Sequence, residues 1–254
     1  MLRTVVLHDI PMNHVAAMER WYFRDHEPEI ARRYGPYLHR LESWFPVPAP
    51  PEADAFGRFN WRLTEGTWRE IPMPGPQGQL SFTPPPVWPK AAFCMVPLDP
   101  VDDFKGWETL PREKNVLRWY VLMRYPEGVS LEQGEDWFLN VHCKEVLNQP
   151  KLTRFFSRKT LKPTPPLPGT WRPGDLEHMK KDAMPHWDRV VEFWYETFDD
   201  WRESVLTNPP SYTKPEWATH PQYPFFVPGQ EWVSTFVLER PTDEFLRDSR
   251  VAYL

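Results

Sequence analysis

WRLTEGTWRE, Trp61–Glu70, returns 133 residues later as WYETFDDWRE, Trp194–Glu203, with identical residues at Trp61/Trp194, Thr64/Thr197, Trp68/Trp201, Arg69/Arg202 and Glu70/Glu203. An internal repeat dictates architecture before any local element is read, so this echo decides the fold. Working outward, LRTVVLHDIP (Leu2–Pro11) meets LRWYVLMRYP (Leu117–Pro126), and WYFRDHEPE (Trp21–Glu29) meets WFLNVHCKE (Trp137–Glu145). PYLHR (Pro36–Arg40) meets PKLTR (Pro150–Arg154), and VPLDPVDDF (Val96–Phe104) meets VLERPTDEF (Val237–Phe245). The five matches are collinear, and their offsets jump where proline-rich stretches would place insertions. The chain reads as a duplication, with one repeat over 1–112 and the other over 113–254.

Within each copy, Leu2–Pro11 and its partner are rich in β-branched and apolar residues, as strands are. Asn13 is a candidate helix cap, after which Val15, Met18, Tyr22, His26 and Ile30 recur at helical spacing. In the second copy Ser130 and Gln133 form a capping box ahead of Leu131, Phe138, His142 and Val146. Further strands are expected at Leu38–Pro46 and Leu152–Lys162, at Phe59–Leu63 and Arg189–Glu196, and at Ala91–Leu98 and Val233–Glu239. A short helix is expected around Trp68 and Trp201, with Thr197 and Asp200 as a capping box; prolines after Trp68 break it in the first copy. The order β-α-β-β-α-β is the ferredoxin-like unit. Two such sheets, each with one uncovered apolar face, would pack on each other. The expected fold is α+β: tandem ferredoxin-like repeats forming an intramolecular pseudo-dimeric α+β barrel, with Trp61 and Trp194 at the same strand-to-helix corner.

Composition excludes several functions. With 254 residues the chain can bury a proper core, and its net charge of −5, without blocks of like charge, gives no footprint for nucleic acid. No apolar run reaches membrane-spanning length and the N-terminus lacks a signal-peptide core, so no membrane is implied and a cytoplasmic setting is expected. Cys94 and Cys143 make no disulfide framework. The 32 prolines alongside 14 Trp, 9 Tyr and 16 Phe point to long ordered loops, whose aromatics (Trp88, Trp171, Tyr212, Phe225) can wall an apolar pocket.

A Trp followed five residues later by His, WYFRDH and WFLNVH, together with PYLHR/PKLTR opening the next strand, resembles the EthD-like family of dimeric α+β barrel proteins. DRVVEFWYETFDDWRESV (Asp188–Val205) is similar to that family's third strand and second helix. The resemblance implies cofactor-free chemistry on aromatic or polyketide-like substrates held between helices and sheet, and fold alone does not choose among such activities.

The candidate catalytic residues are His26 and His142, each four residues after an apolar-face residue and so turned toward the sheet, joined by Tyr22 and His39. His8, Tyr22, His26 and either His39 or Arg40 could hold a phenol or carboxylate and move a proton. Arg40 and Arg154, at matching positions, could clamp a carboxylate; Arg124, Trp21, Trp137 and Phe138 complete the substrate-contacting set. Asp25–Glu29 reads as a solvated helix turn, no metal-ligand spacing appears, and neither a Gly-rich nucleotide loop nor a nucleophile elbow suggests a cofactor. The resulting expectation is a cofactor-independent lyase, a decarboxylase or dehydratase, acting on a small hydroxylated aromatic substrate. The alternatives are a non-catalytic small-molecule-binding accessory protein and a cofactor-free monooxygenase. Pairing of two fused molecules into a homodimer is left open.

Overall fold

In the computed structural model, which describes residues 1–70, 83–106, 116–161 and 186–247, the chain is α+β with two five-stranded antiparallel sheets. The first sheet takes β1 (Leu2–Asp9), β2 (Leu38–Trp44), β3 (Arg62–Trp68) and β4 (Lys90–Pro97) from the N-terminal part of the chain. The second takes β6 (Leu117–Met123), β7 (Arg154–Lys159), β8 (Arg189–Tyr195) and β9 (Trp232–Leu238). Each gains a fifth strand from the far part of the chain: β10 (Asp243–Arg247) pairs with β2, and β5 (Asp102–Lys105) pairs with β7. The orders, β10-β2-β3-β1-β4 and β5-β7-β8-β6-β9, correspond strand for strand.

A helical run crosses each sheet after its first strand. It consists of α1 (Val15–Trp21), a π turn (Tyr22–His26) and α2 (Glu27–Tyr34) on one sheet. On the other are α3 (Leu131–Trp137), a π turn (Phe138–His142) and α4 (Cys143–Val146). α5 (Phe198–Arg202), followed by a π turn over Glu203–Thr207, is capped by the Thr197–Asp200 box, and Ser130 caps α3 by accepting from Gln133 N. These polar caps satisfy amide groups that a helix start otherwise leaves unpaired.

Strand alternation divides the side chains between two layers. Val5, Leu7, Leu63 and Val96 meet Tyr120, Leu122, Val190 and Val237 in one cluster between the sheets. Trp119, Val121, Val191 and Phe193 point the other way, toward the helices of the second part, with Trp137, Phe138 and Trp201. The inter-sheet layer also holds charge. Glu65 lies 3.2 Å from Arg3 and 4.0 Å from Arg118, and Glu192 lies 2.9 Å from Arg118 and 3.7 Å from Arg158. Burial pushes the Glu65 carboxyl up, but Arg3 and Arg118 outweigh it and hold it below the usual carboxylate range.

Three expectations are corrected. The sheets are open, ending at β10 and β4 and at β5 and β9, rather than a closed barrel of paired units. The reason is the exchange of β5 and β10, which gives each sheet a strand from the other part of the chain. The opening echo is out of register. Leu2 pairs with Trp68 and Leu117 with Tyr195, so the strand positions differ by 127 residues and Trp61 matches Asp188, not Trp194. Trp68 closes a strand while Trp201 sits in a helix, so the two phrases share composition and not conformation. The expected broken helix after Trp68 falls largely on residues 71–82, and Trp171 on 162–185, both outside the described residues. Among the described residues, Cys94 and Cys143 are buried and free, and no helix is long and apolar enough to cross a membrane.

Removing one member of a buried charge pair strands the other. Arg118→Met should therefore cost about 3–5 kcal/mol in urea unfolding, and Arg118→Met/Glu192→Met should recover most of it. An unchanged midpoint in the single variant would show that the inter-sheet charges are hydrated.

Candidate functional site

The candidate site lies where the first helical run crosses the helix-facing side of β1 and β3. In a π turn the i and i+5 residues come to one side of the helix: Glu27 N–H donates to Tyr22 O, and the following Cys143 N–H to Phe138 O. The consequence is a stack. Trp21 and His26 lie 4.6 Å apart at 26°, and Trp137 and His142 4.9 Å apart at 26°. In an uninterrupted α-helix those side chains would diverge by well over a quarter turn. The Trp-x4-His spacing thus has a physical meaning that an i,i+4 reading does not supply.

Around His26, the Tyr22 ring is 5.6 Å away, Trp61 packs on Tyr22 at 5.7 Å, and His8 of β1 meets Trp61 edge-on at 5.5 Å. Tyr22 Oη and Thr64 Oγ1 are 2.9 Å apart. Arg62 is completely buried between the Tyr22 and Phe45 rings, 4.1 and 4.0 Å from their centroids. Its guanidinium donates to Glu19 at 2.6 Å, to Asp243 at 3.3 Å and to Ser43. Two carboxylates therefore match its charge, leaving little to attract an anion.

Glu27 is 2 % exposed, and its Oε2 has no hydrogen-bond partner among the described residues. Burial pushes its carboxyl up to about 7, although Tyr22 and Arg62 pull the other way. Burial likewise lowers His8 to about 3, helped by the nearby His26 and Arg62, and lowers His26 to about 4 against the pull of Glu29. Both imidazoles are neutral at physiological pH. Each is only partly buried, with its Nδ1 out of reach of solvent.

The equivalent place in the second part is apolar. Strand and helix registers put Met123, Phe138, Cys143 and Val191 where the first part has His8, Tyr22, Glu27 and Thr64. The imidazole with its tryptophan recurs, and so does the buried arginine, Arg189 standing where Arg62 does.

Of the residues expected from sequence, His8, Trp21, Tyr22 and His26 come together, as do Trp137, Phe138 and His142. His39 and Arg40 do not join them. They sit where β2 runs beside Thr67 and Trp68, whereas His8 pairs with Arg62. At about 3.3 Å per residue that is on the order of 18 Å along the sheet. Arg40 is paired with Glu42 at 2.8 Å, and Arg154 lies over the Phe156 and Trp194 rings. Arg124 donates to Gln230 O and borders a shallow cleft of about 290 Å³ with Tyr125, Glu127 and His186. Sequence reading missed Glu27, Glu19 and Arg62, and took the Glu27 segment for a solvated turn. One signal was available: Glu27 falls opposite Cys143, an apolar residue, when WYFRDHEPE is set against WFLNVHCKE.

Residues 1–83 match the family model of the chalcone isomerase N-terminal domain. No curated protein matches the chain. Among solved structures, an anthrone oxidase-like protein is similar over 97 % of this chain and 95 % of that one, at 12 % identity and a TM-score of 0.46. The family match overturns the EthD-like resemblance, and the dimeric-barrel and lyase assignments fall with it, since the family that matches the N-terminal third is a different one.

The Glu27 carboxyl titrates higher folded than its ordinary 4.5, so its contribution to stability is complete below pH 4.5 and lost as pH rises through 7. Glu27→Gln should therefore become more stable relative to the wild type by about 3 kcal/mol between pH 5 and pH 8. His8 and His26 act in the opposite direction at lower pH, equally in both proteins, and cancel from the difference. A pH-independent gap in urea unfolding would mean that Glu27 is solvated.

Proposed function

We propose that the first half binds a small, uncharged hydroxylated aromatic molecule and moves a proton on it, with Glu27 as the titrating group and the neutral His26 and His8 imidazoles orienting the substrate. The observation that carries this reading is the difference between the halves. Buried polar groups without full partners cost stability. The first half keeps two such atoms, His8 Nδ1 and Glu27 Oε2, beside the hydrogen-bonded pair Tyr22 and Thr64, where the second half has Met123, Cys143, Phe138 and Val191. A group poised near neutral pH in such a setting suits general acid–base work. Tyr22, whose phenol is raised well above its ordinary value by burial, stays a neutral hydrogen-bond donor.

The charge balance around Arg62 favours a neutral substrate over an aromatic acid, because an entering carboxylate would face Glu19 and Asp243 as well as the guanidinium. The proposed site residues except Asp243 lie within the stretch matching a domain named for an isomerase of an aromatic compound, which agrees with proton movement that expels no group from the substrate. The proposal also reads 1–112 and 113–254 as two copies of a ferredoxin-like unit whose last strands are exchanged, supported by the shared strand order and register.

Deuterium wash-in tests the function. Resorcinols and hydroxylated aryl enones, incubated with the full chain in D2O and followed by NMR, should exchange carbon-bound hydrogen. Glu27→Gln should slow this by roughly 10²-fold or more, while the wild-type rate changes with a midpoint near pH 7. Binding without exchange in the wild type would make the protein a passive binder. Undiminished exchange in Glu27→Gln would remove the carboxyl from the mechanism.

A further inference from the structure

The second half carries an imidazole with no work to do. His142 is fully buried, and neither ring nitrogen has a hydrogen-bond partner among the described residues. Its neighbours are rings: Trp137 stacked at 4.9 Å, Tyr223 parallel at 5.8 Å and 25°, Phe138 at 5.6 Å and Tyr212 at 6.2 Å. A buried donor and acceptor left unmade is a standing cost, and native proteins rarely keep one without a ligand, a water or a function to explain it. This half has Met123, Phe138, Cys143 and Val191 where the first has His8, Tyr22, Glu27 and Thr64, yet it retains the imidazole.

The polar groups nearby form a chain. Tyr195 Oη donates to Gln149 Oε1 at 2.7 Å, Gln149 Nε2 donates to Tyr212 Oη at 2.8 Å, and the Tyr212 ring stacks on Tyr223 at 3.9 Å. Tyr212 and Tyr223 belong to an irregular segment, 208–231, between the last π turn and β9, and most residues from 208 to 222 are exposed. Near Tyr212 the segment is tied down by Thr213, which donates to Glu145 through N and Oγ1 and accepts from Trp137 Nε1. Tyr223 itself is only partly buried. The Tyr223 ring thus lies near-parallel to the unpaired imidazole, and its own buried hydroxyl also has no hydrogen-bond partner among the described residues.

We propose that His142 marks a second binding site, for an uncharged planar hydroxylated aromatic, and that Tyr223 occupies it as an intramolecular plug. When the segment carrying Tyr223 moves aside, the ligand ring replaces the tyrosine ring and its hydroxyl meets the imidazole, which offers one donor and one acceptor. The site is separate from the Glu27 chemistry and stands without it.

Calorimetry of the full chain with 2-naphthol tests this. Tyr223→Ala, checked for folding by circular dichroism, should bind one more equivalent than the first site accounts for, at least tenfold tighter than any second event in the wild type. Tyr223→Ala/His142→Phe should lose that equivalent alone. Naphthalene, lacking the hydroxyl, should bind the opened site at least tenfold more weakly. In the wild type, saturating 2-naphthol should speed amide exchange across residues 209–223 as the plug swings out. No added equivalent in Tyr223→Ala, retention of it in the double variant, or equal binding of naphthalene would overturn the proposal, the last two outcomes indicating an apolar void. If Tyr223→Ala does not fold, the wild-type exchange measurement decides, and unchanged rates at 209–223 reject the plug. The Glu27-dependent deuterium assay reports only the first site, so failure of one reading leaves the other measurable.

Discussion

Two buried guanidinium groups hold the three parts of each layer together. Arg62 joins a helix (Glu19), its own sheet (Ser43) and the exchanged strand β10 (Asp243). Arg189 does the same with Glu135, Ser157 and Asp102 of β5. Each also lies against the ring that begins the π turn, Tyr22 or Phe138. A planar donor fork can satisfy several acceptors in fixed directions, which a lysine cannot. The helical run, the sheet and the visiting strand are therefore fixed relative to one another by one side chain. The Trp–His stacks sit one or two helical turns away and inherit that rigidity.

From the same scaffold the two halves diverge chemically. In the first, the ring above the arginine is a tyrosine, and next to it stand two imidazoles and a carboxyl that burial has moved to neutrality. In the second, the ring is phenylalanine, the surroundings are sulfur and hydrocarbon, and a fully buried imidazole is covered by Tyr223. One half leaves its imidazoles partly exposed beside the buried Glu27; the other has closed over its imidazole completely.

Much of this was legible in the sequence, for identifiable reasons. β1, β6, β4 and β9 were found because their alternation and their collinear matches reflect real register. The matched Trp-x4-His phrases named both imidazoles. The site residues that were missed depend on contacts distant in sequence. Arg62 and Asp243 are 181 residues apart, and nothing local to either betrays a buried pair. Glu27 looked solvated because a glutamate within Asp25–Glu29 ordinarily is, and the π turn that rotates it inward is invisible to a 3.6-residue period. The WRLTEGTWRE echo misled for the opposite reason, since a short phrase rich in Trp, Arg and Glu can end a strand at Trp68 and enter a helix at Trp201.

The exchange of β5 and β10 also orders events in time. The sheet begun by β1 cannot receive its outer strand until residue 243 and those after it have been made. Until then Arg62 lacks one of its two carboxylate partners, Asp243. The second sheet's strands must all be made before the first sheet is complete, and that long delay is characteristic of folds rich in sequence-distant contacts. A nascent fragment ending between the halves would present the uncovered edge of β2 to any neighbour able to add a strand.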